Sequence, residues 1–584
     1  MGKWFSSKPV VEIAPDEIFL DSSNLPALEA SQFEGRVVSH LSNRAAIGAG
    51  VVFILVVLGF GYRVFSLEIL RGSRYASVSR ENTLEHSLMF ATRGLILDRN
   101  RTELAWNEVA SMSDASSTAL SSSSSTPTET MSRDAAQFAL RKYTPMPGLA
   151  HILGFVQYPK ADKSGTWWRE EYTGMSGSEL AFDPILKGVN GNSMVETDAR
   201  GRVQRTNIVE FPRNGTDLVL SVDADVQSQL YRILSVHANK QGFEGGAAVI
   251  MDVRTGELLA LTSFPEYDNQ AMTDGVSSVI QSASNDRRTP LLNRAVSGLY
   301  APGSIVKPIF AAAALNERLI SPEREIVSTG AISLPNPYDP EKPSVFRDWA
   351  VHGPVDMRTA LAVSSDEYFY TIGGGYGGQK GLGIAKLDEY ARRFGLASPT
   401  GIPLLGEAKG VIPTPEWKVE VFGPNDPWRI GNTYHTAIGQ YGFQMTPIQA
   451  VRFIAAVANG GRLLTPQLIA SSTAQATSVG IPDEYLQVVR EGMRLAVTSQ
   501  RTDATVKSLN ISGIRIAAKT GTAQIGARNE WMNSWSVGYW PADDPQWAYA
   551  VVLERAPAGT LSGAAPALRP FFEWLILYHP EYIE

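Results

Sequence analysis

Three short polar motifs follow one another along the chain in an order that could support acyl transfer. The first is Ser304-Ile305-Val306-Lys307, the second is Ser364-Ser365-Asp366 and the third is Lys519-Thr520-Gly521. A serine hydroxyl is a weak nucleophile until a base removes its proton, and a buried lysine can act as that base. Each motif alone is a weak signal, because a Ser-x-x-Lys match arises readily by chance in a long chain. Together, and in this order, they predict a lysine-assisted serine acyl-transfer enzyme.

The first two motifs supply the groups that proton transfer needs. Ser304 opens a predicted helix, and Lys307 lies three residues on, so both side chains share one helix face. We assign Ser304 as the nucleophile and Lys307 as the general base, and the helix N-terminus favours negative charge beside Ser304. Ser364 is expected beside Lys307 as a proton relay, with Asp366 facing the substrate. Alone, the second motif also fits a helix-capping cluster.

The third motif is predicted to end a strand and to hold the substrate. Gly521 would let a substrate backbone approach closely, since glycine has no Cβ. Lys519 and Thr520 could bind a substrate carboxylate. The amides of Ser304 and Thr522 are candidates for an oxyanion hole. Alone, these residues also fit an ordinary strand end with a turn glycine.

The order of the predicted helices and strands around these motifs indicates an α+β domain, in which helices cover an antiparallel sheet. Asp223 is a plausible N-cap for the helix that follows the first strand, and Arg254-Thr255-Gly256 is a plausible hairpin turn. The predicted strands are 217–223, 246–253, 257–263, 514–518, 535–539 and 547–553, and a final amphipathic helix is predicted over 568–578.

Composition excludes several other classes of function. Of the 584 residues, 44% are hydrophobic and 19% are charged, which is ordinary for globular protein. The net charge of −7 gives no basic surface for nucleic acid. The chain has no cysteine, which excludes thiol catalysis, disulfides and cysteine-ligated zinc. None of its seven histidines shows paired metal-ligand spacing.

An apolar run near the N-terminus predicts a membrane anchor. Residues 45–62 carry no charge over 18 positions, at the lower edge of what spans a bilayer. A polar stretch precedes the run and no small-residue cleavage site follows it, so we expect an uncleaved anchor. We place a cytoplasmic tail at 1–44 and the transmembrane helix at 45–64. Arginines on both sides leave the orientation open, and the expected chemistry places the C-terminal part outside.

These motifs and their surroundings resemble the penicillin-interacting serine transferases, and among them the class B penicillin-binding proteins. Members of that class are monofunctional peptidoglycan transpeptidases. The likeness covers residues 45–584 and extends to RGLILDRN at 93–100, LLNRA at 291–295, YAPGSIVKP at 300–308, AIGQ at 437–440 and TPIQ at 446–449. It implies a β-rich pedestal (dimerisation-type) domain over 65–215, with a serine-rich loop at 111–132. A transpeptidase domain of serine β-lactamase-like fold would follow over 216–584.

Within that class the chain resembles the elongation type, penicillin-binding protein 2. Residues 347–353 and 428–433 are similar to that branch, which often carries an aspartate at the position of Asp366. The resemblance implies that Ser304 attacks the penultimate D-alanine carbonyl of a stem peptide. An amine of a neighbouring stem then takes the acyl group during lateral wall synthesis, and β-lactams would acylate Ser304 as substrate mimics.

The resemblance also implies a location and a set of partners. A single-pass protein of the bacterial inner membrane is expected, with its N-terminus cytoplasmic and its catalytic domain periplasmic. Its partners would be peptidoglycan stem peptides, lipid-linked glycan and a rod-shape glycan polymerase of the SEDS class. No cofactor and no nucleic acid are implied.

Zinc is the one metal that the resemblance raises. Some elongation-type enzymes have a zinc site, and Asp348 and His352 match ligand positions, but Ser365 stands where the cysteine would be. Loss of the thiolate predicts that no metal is bound.

Two alternatives to the transpeptidase remain open. A serine β-lactamase shares the first and third motifs, but this chain lacks the class A Glu-x-x-Leu-Asn sequence and carries a long anchored pedestal. A β-lactam-sensing receptor or an inactive scaffold would keep the fold without the crosslinking activity.

Overall fold

The computed structural model describes residues 43–71, 73–74, 83–109, 138–197, 203–336, 339, 341–470 and 474–583. The chain divides into two compact units. One comprises Met1–Glu85 with Val195–Thr206, and the other comprises His86–Met194 with Asn207–Glu584. Nearly all of the predicted tail over 1–44, and the whole predicted loop over 111–132, lie outside the described residues.

The predicted membrane span is helical in the first unit. An α-helix runs over Asn43–Phe65 and continues as a π-helical turn over Ser66–Leu70. The stretch Ala46–Leu70, 25 residues with a mean hydropathy of 2.1, is long and apolar enough to cross a membrane. Helical structure therefore continues past the predicted end at residue 64.

The N-terminal part of the second unit is built from short strands around a buried ionic cluster. Leu218–Val219, Ile96–Leu97, Glu103–Glu108 and Leu140–Tyr143 form a four-stranded sheet in that order. Beside it, Glu179 pairs with Arg93 at 2.6 Å and with Arg141 at 2.8 Å, and all three side chains are fully buried. The other strands of this part are Val156–Gln157, Lys160–Ala161, Trp167–Arg169 and Thr173–Gly174, and its short helices are Ala150–Leu153, Gly177–Ala181 and Asp183–Leu186. Strands Thr83–Met89, Gly191–Thr197 and Val203–Glu210 each contain residues of both units.

A five-stranded antiparallel sheet forms the centre of the larger part, which confirms the predicted α+β class. Its strands in chain order are β1 Gly245–Asp252, β2 Leu258–Phe264, β3 Ala517–Ile525, β4 Trp531–Trp540 and β5 Trp547–Pro557. Their spatial order is β2-β1-β5-β4-β3, so β3 is an edge strand.

Helices cover both faces of this sheet. Side chains alternate between the two faces along a strand, so Ala248 and Ile250 pack into one buried cluster and Ala247 and Val249 into another. This explains why β1 is apolar from Gly245 to Met251, up to the aspartate at its end. Helices Ala224–Gln241 and Ala564–Tyr578 cover one face, and Pro447–Ala458 covers the other.

Helices and short strand pairs complete the region between β2 and β3. The helices are Asn269–Thr273, Ser277–Asn285, Lys307–Asn316, Met357–Val363, Asp366–Gly374, Gly383–Arg393, Pro415–Phe422, Ile430–Ala437 and Asp483–Thr498, with 3-10 turns at Gly303–Val306, Lys507–Leu509 and, after the last helix, Pro580–Tyr582. The strand pairs are Ile326–Ser328 with Gly353–Val355, Ala331–Leu334 with Ser344–Arg347, and Arg462–Leu464 with Ala476–Ser478.

Two local predictions are confirmed and two are wrong. Asp223 caps its helix by accepting hydrogen bonds from the amides of Asp225 and Val226, and the predicted hairpin is the β1–β2 pair. The strand predicted over 217–223 is only Leu218–Val219, and it pairs with Ile96–Leu97 and not with the central sheet. The strand predicted over 514–518 instead runs from Ala517 to Ile525 and pairs with β4 throughout. Backbone pairing does not depend on side-chain polarity, so the strand continues through the polar third motif.

Hydrogen bonds join the pedestal part to the sheet part within the second unit. Glu266, just after β2, accepts hydrogen bonds from the Gly148 amide at 2.6 Å and the Ala150 amide at 3.0 Å. Burial raises the pKa of Glu266 to about 7, although the two amides oppose that shift. The Glu266 carboxyl group, which lies where the pedestal part meets the sheet part, therefore changes its charge near neutral pH.

Candidate active site

Ser304 lies on a tight turn, and the helix begins only at Lys307. Residues Gly303–Val306 form a 3-10 turn, in which the Lys307 amide donates to the Ser304 carbonyl. The α-helix Lys307–Asn316 follows with Pro308 in its first turn. Proline has no N–H to donate to the carbonyl of residue 304, so an α-helix starting at Ser304 would lack that bond. The predicted helix start is therefore three residues too early.

Three glycines allow the nucleophile turn, the edge strand β3 and the loop at residue 439 to pack closely. A Cβ on Gly521 would lie 2.6 Å from the Pro302 carbonyl oxygen, and one on Gly303 would lie 2.7 Å from the Thr522 carbonyl oxygen. A Cβ on Gly439 would overlap the Gly303 carbonyl. The backbones of residues 303 and 522 therefore lie against each other.

The second motif connects two helices through a strained residue. Helix Met357–Val363 ends at Ser364, which has a φ of +59° in the left-handed region. Ser365 then caps helix Asp366–Gly374 by accepting a hydrogen bond from the Tyr368 amide. Left-handed backbone costs a non-glycine residue about 1 kcal/mol or more. Capping by Ser365 agrees with the local interpretation of this motif, while Ser364 is left to contact the lysines.

The Ser364 hydroxyl lies between two buried lysines. Lys307 Nζ donates to Ser364 Oγ at 3.3 Å, to the Ser364 carbonyl at 2.8 Å and to Asp366 Oδ1 at 2.6 Å. Lys519 Nζ donates to Ser364 Oγ at 2.7 Å and to the Thr520 carbonyl at 2.8 Å. Both lysine residues are fully buried. The three motifs therefore meet in one hydrogen-bonded group.

Burial and neighbouring charge act on Lys519. Burial lowers the pKa of its amine well below the ordinary value, the charge of Lys307 lowers it further, and Asp366 partly opposes both. A lysine with a lowered pKa gives up its proton more readily than an exposed lysine does. Asp366 pairs with Lys307 and is 18% exposed at its side chain.

All three motifs line one cleft of about 1140 Å³. The aromatic residues Phe346, Tyr370 and Tyr441 also line the cleft. Gln440 Nε2 reaches the Thr522 carbonyl at 3.5 Å. The motif residues that line the cleft are Ser304, Ser364, Asp366, Thr520, Gly521 and Thr522.

The residues that match a zinc site do not fit the metal. Asp348 accepts hydrogen bonds from Ser365 Oγ at 2.7 Å, the Glu367 amide at 2.9 Å and the Trp349 amide at 2.8 Å. Ser365 offers a hydroxyl in place of a thiolate. Over the part of the chain that the structure describes, no group of three candidate ligands has metal-binding geometry.

The surroundings of Asp348 and His352 shift the pKa values of both groups. Burial raises the pKa of Asp348, but the nearby His352 and hydrogen bonds from the amides of residues 366 and 367 outweigh it and bring the pKa to about 2. Burial lowers the pKa of His352, and the carboxylates of Asp348 and Asp503 reverse that effect, so the net shift is upward. Asp503 was not predicted, since nothing in the local sequence indicates its contact with His352.

Models of two protein families match this chain. The family model described as the penicillin binding protein transpeptidase domain matches residues 246–573. A second, the penicillin-binding protein dimerisation domain, matches residues 134–220.

Two curated relatives carry the name peptidoglycan D,D-transpeptidase MrdA. The protein of Haemophilus influenzae is 31% identical over 465 residues, covering 73% of this chain and 68% of the relative. The protein of Escherichia coli K12 is 29% identical over 601 residues, covering 88% of this chain and 92% of the relative.

Two solved structures are similar at 26% sequence identity. The complex between penicillin-binding protein PBP2 and MreC from Helicobacter pylori aligns with a TM-score of 0.67 over 85% of this chain and 100% of that chain. PBP2 of Pseudomonas aeruginosa with WCK 5153 aligns with a TM-score of 0.65, over 86% of this chain and 98% of that chain.

Proposed function

This chain belongs to the penicillin-binding protein transpeptidases, and from that membership we propose that it is an elongation-type peptidoglycan D,D-transpeptidase. It would crosslink stem peptides through an acyl-enzyme on Ser304. The observation that carries the proposal is the position of the Ser364 hydroxyl, 2.7 Å from Lys519 Nζ and 3.3 Å from Lys307 Nζ, in the cleft that Ser304 lines.

Acylation uses Ser304 as the nucleophile. Its Oγ attacks the penultimate D-alanine carbonyl while Lys307, after passing its own proton through the Ser364 hydroxyl to Lys519, accepts the hydroxyl proton. Negative charge on the carbonyl oxygen is stabilised by the amides of Ser304 and Thr522, which are worth most when they are held in place before the reaction. The bond to the terminal D-alanine nitrogen then breaks, and Ser364 with Lys519 returns a proton to that amine. An amine of a second stem peptide then attacks the ester and gives its proton through Ser364 to Lys519. Lys307 returns a proton to Ser304 Oγ as the ester bond breaks, which frees the serine.

The edge of the central sheet provides the binding surface. β3 is paired on one side with β4 and lies at the edge of the sheet. A peptide that lies along this edge can add as a further strand and receive main-chain hydrogen bonds. Lys519 and Thr520 would bind the terminal carboxylate, and Gly521 leaves room for the peptide backbone. β-Lactams would occupy the same position as inhibitors.

The helix at Ala46–Leu70 serves in this proposal as a single-pass membrane anchor. The cytoplasmic N-terminus, the pedestal over 65–215 and the transpeptidase domain over 216–584 outside the membrane remain proposals, supported by where peptidoglycan lies. One similar structure, from work on polymerization and crosslinking by a peptidoglycan synthase complex, aligns at 26% identity over 91% of this chain. It supports the proposal that a SEDS-type glycan polymerase is the partner.

Crosslinking of lipid-linked peptidoglycan by the purified full-length chain, supplied with a glycan polymerase, tests this function. Crosslinked muropeptides, separated and weighed by mass spectrometry, are expected with the wild type and absent with Ser304→Ala. Ser297→Ala is the matched control, since its hydroxyl donates to the Gly406 carbonyl. Stable penicillin labelling without crosslinks would indicate a sensor or scaffold instead. Rapid loss of the label would indicate a β-lactamase.

A further inference from the structure

A cluster of charged side chains next to the second motif has no part in the mechanism above. Its first member, Asp348, is fully buried at its side chain. It accepts hydrogen bonds from Ser365 Oγ and from the Glu367 amide, both through Oδ2. These contacts hold Asp348 directly to the segment that carries Ser364.

His352 and Asp503 extend the cluster away from the motif. His352 Nε2 lies 3.5 Å from Asp348 Oδ1, and its Nδ1 lies 2.8 Å from Asp503 Oδ2. Arg501 contacts both oxygens of Asp503, at 2.9 and 2.8 Å, and donates to the His352 carbonyl at 2.9 Å. A continuous series of contacts, which we name the Asp503 brace, therefore joins Arg501, Asp503, His352 and Asp348 to the second motif.

Two residues close to the brace in the chain also bind the helix that precedes Ser364. The last carbonyls of a helix have no partner within it. In helix Met357–Val363, the Val363 carbonyl accepts from Trp349 Nε1 at 3.0 Å, and the Ala362 carbonyl accepts from Thr505 Oγ1 at 3.3 Å. Trp349 follows Asp348 in the chain, and Thr505 lies two residues after Asp503. The brace and these donors therefore hold the helix end where Ser364 adopts its left-handed conformation.

We propose that Asp503 is a positioning residue, which acts through His352 and Asp348 to fix the Ser364 turn without a metal ion. This inference rests on the proposed function, since it concerns how fast Ser304 is acylated. The hydrogen bonds to Asp348 use both of its oxygens, and Ser365 donates a proton where a thiolate would bind metal. Contacts within the protein thus connect Asp348 and His352 to the second motif, as a bound metal ion would.

Acylation kinetics of the full-length chain with a fluorescent penicillin test the positioning role. Asp503→Ala is expected to lower the first-order acylation constant about 10- to 100-fold, with less than a twofold change in the dissociation constant of the initial complex, because misplacing a catalytic group by about 1 Å costs that much. Asp503→Asn keeps an oxygen that can accept from His352 Nδ1. It should restore most of the rate, which a loss of general stability would not explain.

Glu491→Ala is the matched control. Glu491 pairs with Arg358 at 2.5 Å. Arg358 lies near the start of helix Met357–Val363, whereas Trp349 and Thr505 bind the carbonyls at its end. This variant should lose stability and keep its acylation constant within twofold. An Asp503→Ala chain that is acylated as fast as the wild type would overturn the positioning role. A wild type that penicillin never acylates would overturn the proposed function, and this inference with it.

Metal analysis gives the second readout. Plasma mass spectrometry of the purified wild type is expected to find far less than one zinc per chain. Treatment with EDTA should leave both the melting temperature and the acylation constant unchanged. Stoichiometric zinc, or a loss of either property with EDTA, would overturn the metal-free role of the brace.

Discussion

The ion pair between Lys307 and Asp366 allows a quantitative test of how the site is held together. The two groups are 2.6 Å apart, with the Lys307 side chain fully buried and the Asp366 side chain 18% exposed. Asp366→Asn keeps the shape and an accepting oxygen but removes the negative charge. The variant therefore separates loss of charge from loss of packing.

The expected cost follows from burial. Removing one partner of a buried ion pair costs about 3–5 kcal/mol, because the other charge is left uncompensated. Partial exposure of Asp366 and a retained hydrogen bond, worth about 1 kcal/mol, reduce this to about 2–3 kcal/mol in the free energy of unfolding. In the double variant Lys307→Met with Asp366→Asn no charge of the pair is left, so stability should largely return, with a coupling energy of about 2 kcal/mol.

Urea unfolding of the wild type, the two single variants and the double variant, followed by tryptophan fluorescence, measures this coupling. Penicillin acylation of the same four chains separates stability from chemistry, since both chains that lack Lys307 should lose acylation whatever their stability. A coupling energy below about 0.5 kcal/mol, as for an exposed pair, would refute the assignment of Lys307 and Asp366 as a buried ion pair.

Three other substitutions test separate parts of the account. Ser364→Ala removes the hydroxyl between the two lysines and should lower the first-order penicillin acylation constant by about 10²–10⁴ at unchanged initial binding; an unchanged constant would exclude the relay. Gly521→Ala places a Cβ 2.6 Å from the Pro302 carbonyl oxygen, so stopped-flow acylation should slow about 100-fold, and a normal rate would show that β3 need not pack so closely on the turn. Glu266 has a folded pKa of about 7, above its unfolded value, so its contribution to stability is present at low pH and is lost as pH rises toward 7. Glu266→Gln should remove a decline of about 2–3 kcal/mol in urea-measured stability between pH 5 and pH 8, whereas equal declines in both chains would contradict the assignment.

Features that depend on local chemistry could be predicted from the sequence. Asp223 caps its helix, and the β1–β2 hairpin forms around Arg254-Thr255-Gly256, because capping and turn preferences act over a few residues. That the three motifs form one site could be predicted from the groups that lysine-assisted acyl transfer requires and from the family resemblance. The periodicity of hydrophobic residues alone does not predict that these motifs lie close together.

Features that depend on tertiary pairing could not be predicted in this way. The bounds of β3 are set by its pairing with β4, so the third motif lies inside the strand and not after its end. Asp503 contacts His352 across 151 positions of sequence, and no local pattern indicates such a partner. The late start of the helix at Lys307 is different, since it follows from a local feature, the absence of an N–H on Pro308 that could donate to the Ser304 carbonyl.

Ser304 as the acylated nucleophile is the central claim, and peptide mass spectrometry of the penicillin-treated chain tests it most directly. One penicilloyl group per chain is expected, on the peptide that contains Ser304, and none is expected on the Ser304→Ala variant. An adduct on another residue, or one that persists in the variant, would contradict the account.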